Sequence, residues 1–101
     1  MRETSYRYEL DLDTAIDVRF LAQRDEVVSY AVVLLVEEED DWRAVRVYDN
    51  AHQIHDMHRY NRSGEKQTAE TFHQGSAGEA MRSAIDEVRS GYSGMIESWR
   101  R

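Results

Sequence analysis

The chain predicts an α+β fold, an antiparallel sheet of about five or six strands packed against one long C-terminal helix. Three observations carry that reading. Apolar and polar residues alternate at period two through most of the sequence before Ser76, and apolar residues recur at helical spacing from Ala77 to Trp99. No proline, repeat or low-complexity linker divides the two regions. With 101 residues and 41% hydrophobic composition there is material for one core, so residues 1–101 read as a single domain.

The elements follow in order. Tyr6, Tyr8, Leu10 and Leu12 alternate with Arg7, Glu9 and Asp11, which writes out one face of a half-buried strand. Ile16, Val18 and Phe20 repeat the pattern, and Asp13-Thr14 is the expected turn of a hairpin. Val27 to Val36 is an almost unbroken apolar run, the signature of a central strand covered on both faces. The acidic run Glu37 to Asp41 ends it as a solvated loop, because like charges repel and stay hydrated. Trp42 to Asp49 reads as the next strand, with Val45 and Val47 on one face and Arg46 and Tyr48 on the other. Met57 to Arg62 and Gln67 to His73 then flank the polar tip Ser63-Gly64-Glu65-Lys66 as a second hairpin.

The final element is the plainest. Ser76 with Glu79 three residues on has the form of a capping box. Ala80, Met81, Ala84, Ile85, Val88, Tyr92, Met95, Ile96 and Trp99 recur on one face, and Glu87 falls on the other. Gly91 and Gly94 each weaken a helix interior by about 1 kcal/mol relative to alanine, so a kink or an early end near residue 90 is the alternative to one continuous helix.

Composition excludes several classes of protein. The sequence has no cysteine, so disulfides, thiolate metal sites and thiol nucleophiles are all excluded. No apolar run approaches the roughly 18 residues of a membrane span, and no hydrophobic signal region follows Met1-Arg2-Glu3-Thr4-Ser5. A cytoplasmic protein without a membrane partner is the expectation. The formal charge of −7 argues against a broad basic surface that coats nucleic acid. That charge is unevenly placed: residues 1–42 hold twelve acids and four bases, whereas residues 43–73 hold four acids and five bases.

Reactive side chains concentrate in Tyr48-Asp49-Asn50-Ala51-His52-Gln53-Ile54-His55-Asp56-Met57-His58-Arg59-Tyr60, where three of the four histidines fall. Imidazole titrates nearest neutrality, so His52 and His58 could divide the roles of general acid and general base. Arg59 would supply a charged donor to a phosphate oxygen in the transition state, and Arg62 and Lys66 would add positive charge. Tyr60 could stack on a base. This is the inventory of a ribonuclease that needs no metal or other cofactor. Neutral imidazoles at intervals of three can also ligate zinc, with Asp49 or Asp56 completing the shell. Without thiolates the run is a weak metal motif, and no stoichiometric metal is expected. A purely structural reading of the cluster also stands, with Asp49 and Asn50 as turn formers and the isolated His73 as a turn residue.

Tyr48-Asp49-Asn50-Ala51-His52, followed after a short gap by His58-Arg59-Tyr60, resembles the Tyr-Asp-Asn-x-His and His-Arg-His/Tyr signature of TumE-type toxins of bacterial toxin–antitoxin pairs and related small proteins. The resemblance spans roughly residues 27–72, through the order strand, strand, histidine loop, strand. It implies a small toxin acting on RNA or its translation, and a cognate antitoxin encoded beside it. It carries Asp49, Asn50, His52, His58 and Arg59 over as functional positions. Tyr60 stands where a further histidine is common, and the C-terminal helix is longer than the family leads one to expect. That helix would suit an interface with a partner or a second copy of the chain.

Two functions are therefore set against each other. In the first, His52, His58, Arg59 and Asp49 are catalytic in RNA cleavage, and Asn50, His55, Tyr60, Arg62 and Lys66 bind the substrate. In the second, the same residues are tied into hydrogen bonds, and the protein acts by contact as an antitoxin, inhibitor or regulatory subunit. The net charge favours the second and the histidine cluster the first, and because site chemistry says more about function than net charge, the ribonuclease is the leading expectation and the binding module the alternative.

Overall fold

Two-residue hairpins set the order of the sheet. The computed structural model describes residues 1–101, with β1 (Arg2–Asp11), β2 (Thr14–Gln23), β3 (Glu26–Glu38) and β4 (Asp41–Asp49) joined in succession. Arg24 and Asp25, and likewise Glu39 and Asp40, take positive φ of 53 to 67°. Two successive left-handed residues form the turn whose twist matches that of the flanking strands. The first hairpin turns at Leu12-Asp13, one residue earlier than the sequence suggested. Thr14 already belongs to the ladder, paired with both Asp11 and Val36, and its hydroxyl donates to the Asp13 carboxylate at 3.0 Å.

With β5 (Asp56–Arg59) and β6 (Glu70–Thr71) the strands form one six-stranded antiparallel sheet in the order β1-β2-β3-β4-β5-β6. The helix α1 (Ala77–Trp99) packs on one face and runs along β3. Gly78, near its start, lies against Val27, and Arg100, just past its end, reaches Glu38. It continues through Gly91 and Gly94, so the early end near residue 90 does not occur. Ser76 accepts from the Glu79 backbone N–H and Glu79 reaches back to Ser76, completing the capping box. The Ser76 hydroxyl and N–H hold the Glu79 carboxyl below the usual glutamate range. No helix is long and apolar enough to cross a membrane.

Ile16, Val18, Val32, Leu34 and Val36 point to the helix and are fully buried against Ala80, Ala84 and Val88. The opposite face of β3 has no second layer, contrary to the expectation of a strand covered on both sides. Side chains of the neighbouring strands cover part of it. The Arg7 guanidinium lies 5.2 Å from the Trp42 ring centroid, so residues of β1 and β4 meet across the two strands between them. Ala15 and Leu35, outward residues of those strands, are accordingly buried, while Ala31 and Val33 are half-buried.

On β4 the faces also differ from the alternation read in the sequence. A bulge between Leu34 and Leu35 of β3 and Arg46 and Ala44 of β4 makes Val45 an extra residue. Val45 thereby joins Tyr48 in the helix-side core, and Val47 is left on the outer face. Tyr48 is fully buried and meets Phe72 edge-on, with ring centroids 5.0 Å apart. Its hydroxyl donates to Glu87 of α1 and accepts from Arg46 at 3.4 Å. Glu87 is thus not an indifferent outward residue: it accepts the one polar atom of a buried ring.

The last hairpin is shorter than its residues suggested. β5 has four residues and β6 two, and a single bridge, Tyr60–Lys66, continues the pairing. Met57 faces Glu70, whereas the Gln67 N–H donates to the Arg59 carbonyl, so the two strands fall out of step between these contacts. Polar residues 61–69 offer no apolar face to pin a register. Asn61 captures Glu65 in a local turn through both backbone and side chain.

Burial holds the Tyr48 phenol above the usual tyrosine range, and its bond to Glu87 adds to the rise. The folded state keeps this proton more tightly than the unfolded chain does. The resulting stability is complete below the unfolded tyrosine pKa of about 10 and is lost as pH climbs above it. Tyr48→Phe and Glu87→Ala should each destabilise by about 1 kcal/mol in urea unfolding at neutral pH. The double variant should recover at least about 0.5 kcal/mol of their sum. Strict additivity would show that the bond contributes nothing.

Candidate functional site

The segment that follows β4 is anchored first by Asn50. Its side-chain oxygen accepts from the Tyr30 N–H at 3.1 Å, and its side-chain nitrogen donates to the Val28 carbonyl at 3.0 Å. The primary amide thus stands in for one peptide unit beside β3, just where β4 ends opposite Ala31. The Asp49 carboxylate accepts from the Ala51 N–H at 3.2 Å, a local turn that starts the loop. Gln53 completes it with φ of 64°. Ala51, His52, Gln53 and Ile54 are left exposed, with Ile54 at 50%.

His55 closes the loop against the start of the helix. Nε2–H donates to the Gly75 carbonyl at 2.9 Å, which leaves Nδ1 to accept from the Tyr30 hydroxyl at 2.9 Å. Burial, with the negative charges of Asp49 and Asp56 behind it, holds the Tyr30 phenol above its usual range, so it remains a donor. The His55 ring stacks on Tyr30 and meets Phe72 and His73 edge-on, with centroids 5.8, 6.3 and 5.9 Å away. His73, isolated in the sequence, is therefore the immediate neighbour of His55. Seventeen intervening residues hid that contact.

His58 lies two residues into β5, opposite Val47 on the face away from the helix, and is buried at 9% exposure. Its Nδ1–H donates to the Gln67 carbonyl at 3.0 Å and bridges the place where β5 and the returning chain lose register. Arg59, the next residue, points to the helix side, because successive side chains of a strand alternate. It pairs with Glu70 at 2.5 Å. Tyr60 and Arg62, which follow it in the chain, line a groove with Arg46, Gln67, Trp99 and Arg101. Arg62 reaches Glu38 at 2.8 Å and lies over the Trp99 ring. Lys66 is exposed, and its backbone bridges Tyr60.

The residues that sequence reasoning grouped thus fall into three places. Asp49, Asn50, His52 and His55 sit at the end of the sheet nearest the helix N-terminus. His58 occupies the outer face, and Arg59, Tyr60 and Arg62 sit beside the helix C-terminal half. Nowhere do three histidine or carboxylate side chains stand close enough to share a metal ion. Sequence reasoning missed the donors Arg46, Trp99 and Arg101, because β4 and the chain end meet only in the folded molecule.

The fold and this arrangement define a small α+β protein in which a meander of six strands carries a single helix. The chain belongs to the DUF7718 family, a domain of unknown function whose model matches residues 1–101. Neither a curated protein nor a solved structure matches the chain.

Asn50→Ala should destabilise the protein by about 1–3 kcal/mol, since the Tyr30 N–H and the Val28 carbonyl lose their partner together. Asn50→Asp should recover only part, because it keeps the acceptor and loses the donor. Urea midpoints unchanged in both variants would remove the anchoring role.

Proposed function

We propose that the protein acts by contact, as a non-enzymatic binding module of toxin–antitoxin type in the cytoplasm, with a protein as its partner. The single observation that carries this reading is the use made of the polar groups between Tyr48 and His58. Asp49, Asn50, His55 and His58 hold backbone groups or a buried hydroxyl. What the segment presents outward is Ala51, His52, Gln53 and Ile54. Beside it lies a groove of about 310 Å³ lined by Phe20, Leu21, Tyr30, Ala31, Asp49 and Asn50 among others. Val28, whose carbonyl holds Asn50, is 44% exposed. Exposed aliphatic side chains around a half-apolar groove suit a protein surface better than a phosphate.

Histidine catalysis of RNA cleavage is the weaker reading. It needs acid and base on either side of one phosphate, within hydrogen-bond reach. His55 has both ring nitrogens engaged, and His58 faces away from the arginines that would receive the phosphate.

The contact reading expects Val28→Asp and Ile54→Asp each to weaken the complex with the protein encoded alongside by tenfold or more, about the scale of an interface anchor, in calorimetric titration. Thermal unfolding should be little changed. RNA incubated with the parent protein in excess chelator should remain intact. Cleavage of RNA but not of 2′-deoxy substrate, lost in the His52→Ala, His58→Ala double variant, would replace this reading with the enzymatic one.

A further inference from the structure

We propose that the groove between the C-terminal half of α1 and strands β4 and β5 is a binding site for a phosphate group, either free or at the end of an RNA chain. Arg46 of β4, Arg59 of β5, Arg62 of the following loop and Arg101 at the chain end all line it, with Gln67 and Trp99. Its volume of about 250 Å³ falls below the ~300–1,000 Å³ of sites for drug-sized ligands, so it suits a small anion or the end of a larger molecule.

Two independent features call for an anion. Arg46 and Arg59 face one another directly in the β4–β5 register. Like charges in that relation are destabilising unless something lies between or beside them. Arg59 has Glu70, but Arg46 has no carboxylate within ion-pair distance, only the Tyr48 hydroxyl at 3.4 Å. The second feature is a pair of buried donors with no acceptor, Arg46 Nε and Trp99 Nε1, both on residues that line the groove. Trp99 is 6% exposed, so water does not readily satisfy it. Buried donors in folded proteins almost always have a partner, and here two in one groove lack one.

The donor set selects the ligand. Guanidinium and indole groups donate and cannot accept, so the occupant must be rich in acceptors and negatively charged. Donors reach the groove from β4, from β5 and from the end of α1, separate parts of the fold, and a tetrahedral oxyanion has more acceptor oxygens to offer them than a planar carboxylate. Arg62 is held by Glu38, whose side chain is only 20% exposed, so Arg46, Arg59 and Arg101 are the donors free to turn to a ligand. Glu70 and Glu97, the partners of Arg59 and Arg101, are 57% and 72% exposed, so these ion pairs are weak and can yield to a ligand.

Trp99 is its own reporter. In a Trp42→Phe background it is the sole tryptophan, and inorganic phosphate added at constant ionic strength should change its fluorescence saturably. Arg46→Ala should weaken that response about tenfold or more, the scale of a lost charge-assisted hydrogen bond. Arg59→Ala should weaken it less and leave thermal unfolding unchanged, and it carries the test alone if Arg46→Ala does not fold. A 5′-phosphorylated oligoribonucleotide that binds tenfold tighter than its 5′-hydroxyl counterpart assigns the site to an RNA end. A response to inorganic phosphate with equal affinity for the two oligonucleotides assigns it to free phosphate. No saturable response to phosphate or to the phosphorylated oligonucleotide overturns the site, as does an identical response in the arginine variants.

Discussion

Tyr48 is where the two layers of this protein are tied by something more selective than apolar contact. A meander of strands can bury its inner face under a helix at many offsets, since hydrophobic attraction has no direction. A phenol sealed in that interface has one polar atom, and leaving it without a partner would cost about 1–3 kcal/mol. The Glu87 carboxylate meets that need at a single position of the helix, and Arg46 approaches the same oxygen from within β4. The helix is thereby set in rotation and along its axis. Its two ends then reach what they need: the residue before the Ser76 cap accepts from His55, which packs on His73, and the Trp99 ring is approached by the guanidinium groups of Arg43 and Arg62.

Much of the fold was legible because it rests on periodicity. Alternation in residues 6–20 gives the first two strands and the stripe from Ala77 to Trp99 the helix, although Leu12, read as the end of the apolar face of β1, lies in the turn and is 93% exposed. The failures have physical causes. Val27 to Val36 resembles a strand enclosed on both sides because Ala31, Val33 and Leu35 are apolar. Ala31 and Val33 in fact line an open groove, and only part of this face is closed over, where Arg7 meets Trp42, residues 35 positions apart whose meeting no local pattern encodes. The bulge at Val45 shifts the apparent face of β4 by one residue, and a shift of one exchanges inside for outside. Glu87 sits on the polar side of a helical wheel, yet a long side chain reaches round to the interface.

The candidate site was legible only as a list of reactive residues. Nearness in sequence between His52, His55 and His58 suggested nearness in space, but a turn followed by a strand disperses neighbours. His58 and Arg59 are adjacent in the chain and therefore point to opposite faces. The contacts that give these residues their roles come from far away: Tyr30 and Gly75 for His55, Gln67 for His58, and Val28 with Tyr30 for Asn50. The arginine groove was less visible still, because its central donors come from β4 and from the last three residues of the chain.

The amide of Asn50 bears on how this protein avoids sticking to itself. β3 continues past the point where β4 ends, so its first residues would otherwise present a row of open donors and acceptors on that side. Such an edge is a template on which a strand from another molecule can pair. Asn50 occupies one donor and one acceptor of that row with a side chain that cannot propagate a ladder, because it has no further backbone to offer along the same line. Along this stretch of β3, beside Val27 and Val28, Asn50 thus opposes pairing with a strand of another molecule.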